Sequence, residues 1–165
     1  MVMGALEKLI RGTAWPALDI LFVDMPPGTG DAHISICQKL PLSGALIVST
    51  PQEVALVDAR RGVDLFKQVG VSILGMVENM AFFEAHGERL YVFGRGGVAR
   101  AAALAGCQLL AEVPLVTAVR EASDGGTPLG GAAPGGAGRA YEAIARQLAS
   151  KLGLTAHGAD GGEGG

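Results

Sequence analysis

Aromatic side chains are scarce in this chain: 5% of its residues are Phe, Trp or Tyr, although 49% are hydrophobic. A core with so few rings must be built from Val, Leu, Ile and Ala, which suits parallel strands covered by helices on both faces. Cysteine is nearly missing as well. Cys37 and Cys107 stand far apart and outside any Cys-x-x-Cys, so they read as reduced thiols of a cytosolic-type protein rather than a disulfide. No basic run occurs, and the formal charge is −3, so a nucleic-acid partner has no electrostatic footprint. No apolar run approaches the about 20 residues of a membrane span. Residues 1–10 carry Glu7 and Lys8 inside their apolar stretch, unlike a signal peptide. These absences predict a soluble protein with no stable membrane association. Its 165 residues, 18% of them charged, suit one well-buried domain.

Apolar and polar segments alternate as strand, helix, strand, helix. Residues 1–11 have apolar side chains at helical spacing, and Gly12 and Pro16 break that pattern. Residues 19–23 (Asp-Ile-Leu-Phe-Val) form a short apolar run ending at Asp24 and a Pro-Pro-Gly turn, which predicts a buried strand. A helix is expected over 32–40 and a second strand over 44–49. Thr50 is then placed as N-cap and Pro51 at the first helical position of a helix reaching Val69, with Gly70 as its stop. A third strand is predicted over 71–77, an irregular aromatic stretch over 81–95, an Ala-rich helix over 97–105 closed by Gly106, and a fourth strand over 107–113. Residues 116–123 suggest a short helix, 127–138 a Gly/Pro-rich loop, 140–152 a last helix, and 153–165 a disordered Gly-rich tail. Strands joined by helical crossovers imply an α/β, doubly wound parallel sheet. In such sheets ligands bind at the carboxyl ends of the strands. Asp24, Thr50, Asn79 and Pro114 each follow a predicted strand directly.

The most informative stretch is Val23-Asp24-Met25-Pro26-Pro27-Gly28-Thr29-Gly30-Asp31. An acid closing an apolar strand is costly to desolvate without a partner, and at this position in P-loop NTPases an acid serves Mg²⁺ beside the nucleotide phosphates. The glycines behind it can bring backbone N–H groups close to a phosphate. Asp31, opening the next helix, suits an N-cap or a water-positioning group. A bare Asp-Pro-Pro-Gly would more often be only a turn; the longer string is far more specific.

That string resembles the Mrp/ApbC family of iron–sulfur cluster carrier ATPases, which includes mitochondrial nucleotide-binding-protein-like carriers that assist respiratory complex I. The resemblance runs on through Val48-Ser49-Thr50-Pro51-Gln52, Gly75-Met76-Val77-Glu78-Asn79-Met80, Phe93-Gly94-Arg95-Gly96-Gly97, Val113-Pro114-Leu115 and Arg120–Pro128, leaving out only the tail after about Leu152. It implies a SIMIBI/MinD-like P-loop NTPase fold over residues 1–152. It also implies ATP-dependent delivery of clusters to iron–sulfur apo-proteins, with ATP hydrolysed at a homodimer interface. By the resemblance Asp24 belongs to the Mg²⁺ and γ-phosphate switch, with Gly28 beside the phosphate and Asp31 in support. Asn79 resembles the adenine-contacting asparagine, and Pro114 and Leu115 would line the base pocket. Bacterial cytoplasm is the implied compartment, or mitochondrial matrix in a eukaryote.

Two departures qualify the implied activity. The family's Gly-Lys-Gly-Gly-Val-Gly-Lys-Ser/Thr phosphate loop does not occur in these residues, nor do the strands around it, so this chain alone is expected to be inactive toward ATP. Many relatives place a Cys-x-x-Cys before the Phe-Gly-x-Gly-Gly stretch, where two chains share a [4Fe–4S] cluster. Here that loop reads Phe83-Glu84-Ala85-His86-Gly87-Glu88-Arg89 with no thiolate. Glu84, His86 and Glu88 are a weaker option for a divalent metal. Two other readings stay open: a non-catalytic fragment or scaffold that pairs with an intact homologue, and a MinD/ParA-like positioning ATPase. The second usually needs a membrane helix or a basic surface, and the acidic Gly-rich tail offers neither. No dinucleotide fingerprint or nucleophile elbow stands out.

Overall fold

The computed structural model describes residues 8–26, 28, 30–127 and 136–154, without the side chains of Asp31 and Ala32. Residues 8–12 are helical, in line with the apolar spacing, and the rest of that predicted helix lies outside the described residues. The elements that follow are α1 (Asp31–Lys39), β1 (Ala45–Ser49), α2 (Glu53–Gln68), β2 (Ile73–Glu78), β3 (Phe83–Ala85), β4 (Glu88–Leu90), α3 (Gly97–Ala105), β5 (Leu109–Glu112), α4 (Thr117–Asp124) and α5 (Ala137–Lys151).

β1, β2 and β5 form a parallel three-stranded sheet in the order β1-β2-β5. Successive side chains on a strand point to opposite faces, and here each face finds its own core. Ala45, Ile47 and Met76 join a cluster with Leu56, Val63 and Phe66 of α2 and Val98 and Ala101 of α3. Val77 and Leu110 face the other way, toward Ile144 and Leu148 of α5. Helices therefore cover both faces, as the absence of alternating polarity in the strands requires. The cover is incomplete at β1: Val48 is 56% exposed.

Residues 19–23 depart from expectation. They join no strand, and Leu21 and Phe22 are exposed, Phe22 to 71%. A strand exists only through its neighbour's hydrogen bonds. Among the described residues β1 has β2 on one side and no strand on the other, so the apolar run meets no ladder to join.

Three smaller corrections are local. Helix α2 begins at Glu53 with Gln52, not Thr50, as N-cap, and no side chain caps it. The aromatic stretch after β2 is not wholly irregular, because β3 and β4 pair antiparallel across the two-residue turn His86-Gly87. Both turn residues have positive φ, 52° and 80°, as a type I′ hairpin demands. Helix α5 starts at Ala137, three residues before the expected Ala140, and Gly136 before it has φ 78°. The predicted 127–138 loop and the tail fall largely outside the described residues.

Candidate functional site

Four of the residues singled out by sequence, Asp24, Gly28, Thr50 and Asn79, come together. A cavity of about 550 Å³ runs beside β1 to its carboxyl end; Leu46, Ile47, Val48, Leu65 and Phe66 line its length, and Asp24, Gly28, Ser49, Thr50 and Asn79 also line it. Backbone geometry explains the convergence. The Asn79 N–H donates to the Ser49 carbonyl at 2.8 Å, carrying the β1–β2 ladder one residue beyond β2, so Ser49 and Asn79 are held side by side at the rim. Gly28 has φ 93°, a conformation that side-chain-bearing residues rarely take. It turns the chain between the exposed Asp24 and the start of α1. The Asp24 carboxylate has no hydrogen bond or ion pair with any described residue.

Pro114 and Leu115 are not part of this cavity. Pro114 is buried and Leu115 half-buried, and the Leu115 N–H donates to Phe82 O at 2.7 Å, which fixes them beside the hairpin rather than over the β1 rim. Asp31 is the first residue of α1, and Gly30 rather than Asp31 occupies the N-cap; its side chain lies outside the described residues. Asp58 is paired with Arg61 at 3.3 Å, and Arg60 with Glu53 at 3.2 Å. Both ion pairs are exposed, as surface residues of α2.

Sequence reasoning passed over Glu78. It is fully buried, and its carboxylate accepts N–H bonds from Val98 at 2.8 Å and Gly96 at 3.3 Å. A carboxylate at the N-terminus of α3 satisfies amides that the helix cannot, and it complements the helix dipole. Through this link the residue before Asn79 is tied to the Gly94–Gly97 turn. Gly97 makes the same junction tight: a Cβ there would lie 2.6 Å from the Pro51 carbonyl oxygen. The available signal was an acid at the end of a buried strand, the argument already applied to Asp24.

The hairpin offers no cluster or metal site. Glu84 is opposite Arg89 in register and paired with it at 3.5 Å, and Arg89 stacks 4.1 Å from the Phe82 ring centre. No group of three or more His, Cys, Asp or Glu able to hold a metal occurs among the described residues. Cys37 is buried in the core and Cys107 is packed against it. Burial pushes both thiols above their ordinary value, with Lys67 and Lys151 partly opposing this at Cys107.

Ligands of open α/β sheets bind outside the carboxyl ends of the strands, and this cavity reaches such an end beside an unpaired acid and a glycine turn. Comparison with known proteins decides the lineage. The family model described as ParA, the NUBPL iron-transfer P-loop NTPase, matches residues 1–149. The chain belongs to that family. It is 51% identical to a protein of Arabidopsis thaliana named iron-sulfur protein required for NADH dehydrogenase, mitochondrial, over 92% of this chain and 50% of the plant protein. It is 44% identical to the mouse iron-sulfur cluster transfer protein NUBPL, over 92% of this chain and 49% of that one. Among solved structures, a nucleotide-binding protein from Archaeoglobus fulgidus in complex with ADP superposes with a TM-score of 0.68 at 37% identity. That match covers 76% of this chain and 52% of the archaeal one. The chain thus spans about half the length of the curated relatives it matches, and the fold is that of a P-loop NTPase.

Proposed function

We propose that this chain is the C-terminal part of an ATP-dependent iron–sulfur cluster carrier, residues 1–152 forming part of its nucleotide-binding domain. The observation that carries the reading is the cavity that gathers Asp24, Gly28 and Asn79 at the strand ends. Asn79 can donate to and accept from a base edge through its carboxamide. Asp24 offers a hard oxygen donor with no competing protein partner, which fits Mg²⁺, an ion that takes one or two carboxylates along with phosphate oxygens and water. When bound, Mg²⁺ would neutralise charge on the phosphoryl oxygens. Gly28 lets backbone approach the phosphate, and Asp31 stands at the start of α1, where a carboxylate suits the helix dipole.

The described residues do not fit a resident [4Fe–4S] cluster, since the hairpin has no thiolate and both cysteines pack in or against the core. The cluster is accordingly cargo whose ligands come from elsewhere, with apo-proteins as recipients. A homodimer and hydrolysis belong to this reading as proposals, as does a compartment shared with mitochondrial or bacterial relatives.

Joining this chain to the N-terminal half of a relative, which supplies a phosphate loop, should give Mg²⁺-dependent ATP hydrolysis, while the 165-residue chain alone shows none. Asp24→Ala in the joined protein should lower kcat by 10²-fold or more, on the order of removing a principal stabiliser of developing charge. Undiminished hydrolysis would refute the role of Asp24. A second reading, a scaffold that pairs with an intact homologue, draws on the edge of β1 that has no strand beside it among the described residues. Co-purification of a complete relative with this chain, without turnover by the joined protein, would favour it.

A further inference from the structure

Among the described residues, two other than glycine take a positive φ: His86 at 52° and Met80 at 54°. The hairpin turn accounts for His86. Met80 stands just beyond β2, next to Asn79, where no hairpin turn demands its conformation. A residue with a Cβ is held there against a cost in backbone strain, which persists only where the surroundings over-determine it.

The hydrogen bonds show what the conformation does. The Val113 N–H donates to the Glu78 carbonyl at 2.8 Å. A regular parallel ladder would next have residue 80 donate to the Val113 carbonyl, because a strand bonds a given neighbour through alternate residues. Ala81 donates there instead, at 2.9 Å, so the chain carries one extra residue at Asn79-Met80, in the manner of a β-bulge. The Asn79 N–H is bonded on the other side, to the Ser49 carbonyl at 2.8 Å. The left-handed step thus passes the chain from the β1 side to the β5 side, with Asn79 as the last residue bonded to β1. Both flanks are fixed. Glu78 is fully buried with its carboxylate on the Gly96 and Val98 amides, and Ala81 is fully buried too. Between these anchors Asn79 lines the cavity, and its carboxamide makes no hydrogen bond with a described residue. A bulge beside a cavity is a means of re-aiming a side chain.

We infer that Met80 is a positioning residue: its left-handed backbone, clamped between Glu78 and Ala81, sets the direction of the Asn79 carboxamide toward the edge of a purine base. This rests on the reading of the cavity as a nucleotide site with Asn79 as its base contact. Met80 itself need not touch the nucleotide.

The test titrates the 165-residue chain at millimolar concentration with the magnesium salts of ADP and of inosine diphosphate, which has a carbonyl where adenine has its amino group. The Asn79 carboxamide resonances are followed by NMR. ADP should be favoured by about 3- to 10-fold, the worth of one hydrogen bond. Met80→Gly, which takes the left-handed position without strain, should keep that preference. Met80→Ile, whose branched Cβ resists the position, should lower the melting temperature and bring the preference close to one. Met80→Ala should do the same to a smaller degree, and it replaces the Ile variant if that one does not fold. Met76→Ala, in the same strand, should lower the melting temperature and leave the preference intact, which separates positioning from a general loss of stability. An unchanged preference in the Ile and Ala variants at position 80, or an equal loss in Met76→Ala, would overturn the role of Met80 and leave the nucleotide reading standing. Equal affinity for the two nucleotides in the unsubstituted chain would remove Asn79 as base contact, and the role of Met80 with it. No Asn79 shift with either nucleotide would overturn the nucleotide reading as well.

Discussion

Two stretches of similar composition have different fates in this molecule. Residues 45–49 (Ala-Leu-Ile-Val-Ser) and 19–23 (Asp-Ile-Leu-Phe-Val) are both short apolar runs ending at a polar residue and a proline turn. The first is β1, bonded along its length to β2, with Ala45 and Ile47 buried. The second joins no ladder, and its Phe22 lies open to solvent. Local sequence supplies the tendency to be a strand; a neighbour supplies the strand. Between them lies a gap. A second cavity, of about 680 Å³, is bounded by residues of the 19–25 segment, by Leu46 of β1, and by Leu148 and Leu152. This matches a chain that covers about half of its relatives.

The comparison can be broken or sharpened by substitution. Met76 lies at the centre of β2 and is fully buried. Met76→Ala should cost about 2–5 kcal/mol by the usual scale for large core truncations. Phe22→Ser in the unpaired run should change stability by no more than about 0.5 kcal/mol. Denaturant titration measures both, and comparable losses would mean that residues 19–23 are packed in solution. In a protein joined to the upstream half of a relative, Phe22→Ser should become costly.

The β2–α3 junction belongs to the well-paired half and should be nearly as sensitive. Glu78→Ala leaves the buried Val98 amide and the part-buried Gly96 amide without their acceptor and should cost about 1–3 kcal/mol, whereas Glu78→Gln, which keeps an acceptor oxygen, should cost less. Equal thermal unfolding of the two variants would show that the bonds to Gly96 and Val98 contribute nothing. Gly97→Ala drives a methyl against the Pro51 carbonyl and should lose about 1–3 kcal/mol as an overpacked contact, without affecting the paired strands' exchange protection elsewhere.

The smallest effect concerns Cys37. Its burial raises the folded-state pKa above the ordinary 9.0, so the folded chain holds its proton more tightly than the unfolded one. The stability this gives is fully present below the unfolded value and is lost as pH rises through the folded one. Stability should therefore decline above about pH 9 by a component that Cys37→Ala removes, read from denaturation midpoints at successive pH values. At pH 8 alkylation of Cys37 should be slow in the native chain and fast in urea.

Much of the fold was readable because it is locally encoded. Gly106, with φ 74°, closes α3 at the predicted residue, since only the left-handed position there favours glycine. The hairpin was missed because its turn uses His86 at positive φ, where Asn or Asp would have announced it. Glu84, read in sequence beside His86 as a metal-ligand option, is instead paired with Arg89 across the hairpin. In the site, Asp24, Gly28 and Asn79 were legible because each follows an apolar run or forms a tight turn. Thr50 was legible as the residue that follows a predicted strand, whereas His33 inside α1 carried no local sign of its place on the cavity wall.

The sequence by itself determined the alternation of elements, the family and the acid–glycine turn, since all of these lie in short-range pattern and residue type. Only the tertiary structure decided that Asp24, Gly28 and Asn79 share one cavity while Pro114 and Leu115 stand apart, that Glu78 caps α3, and that residues 19–23 remain unpaired. Those outcomes depend on contacts between residues distant along the chain, whose free energy is set by which surfaces meet and which partners are present.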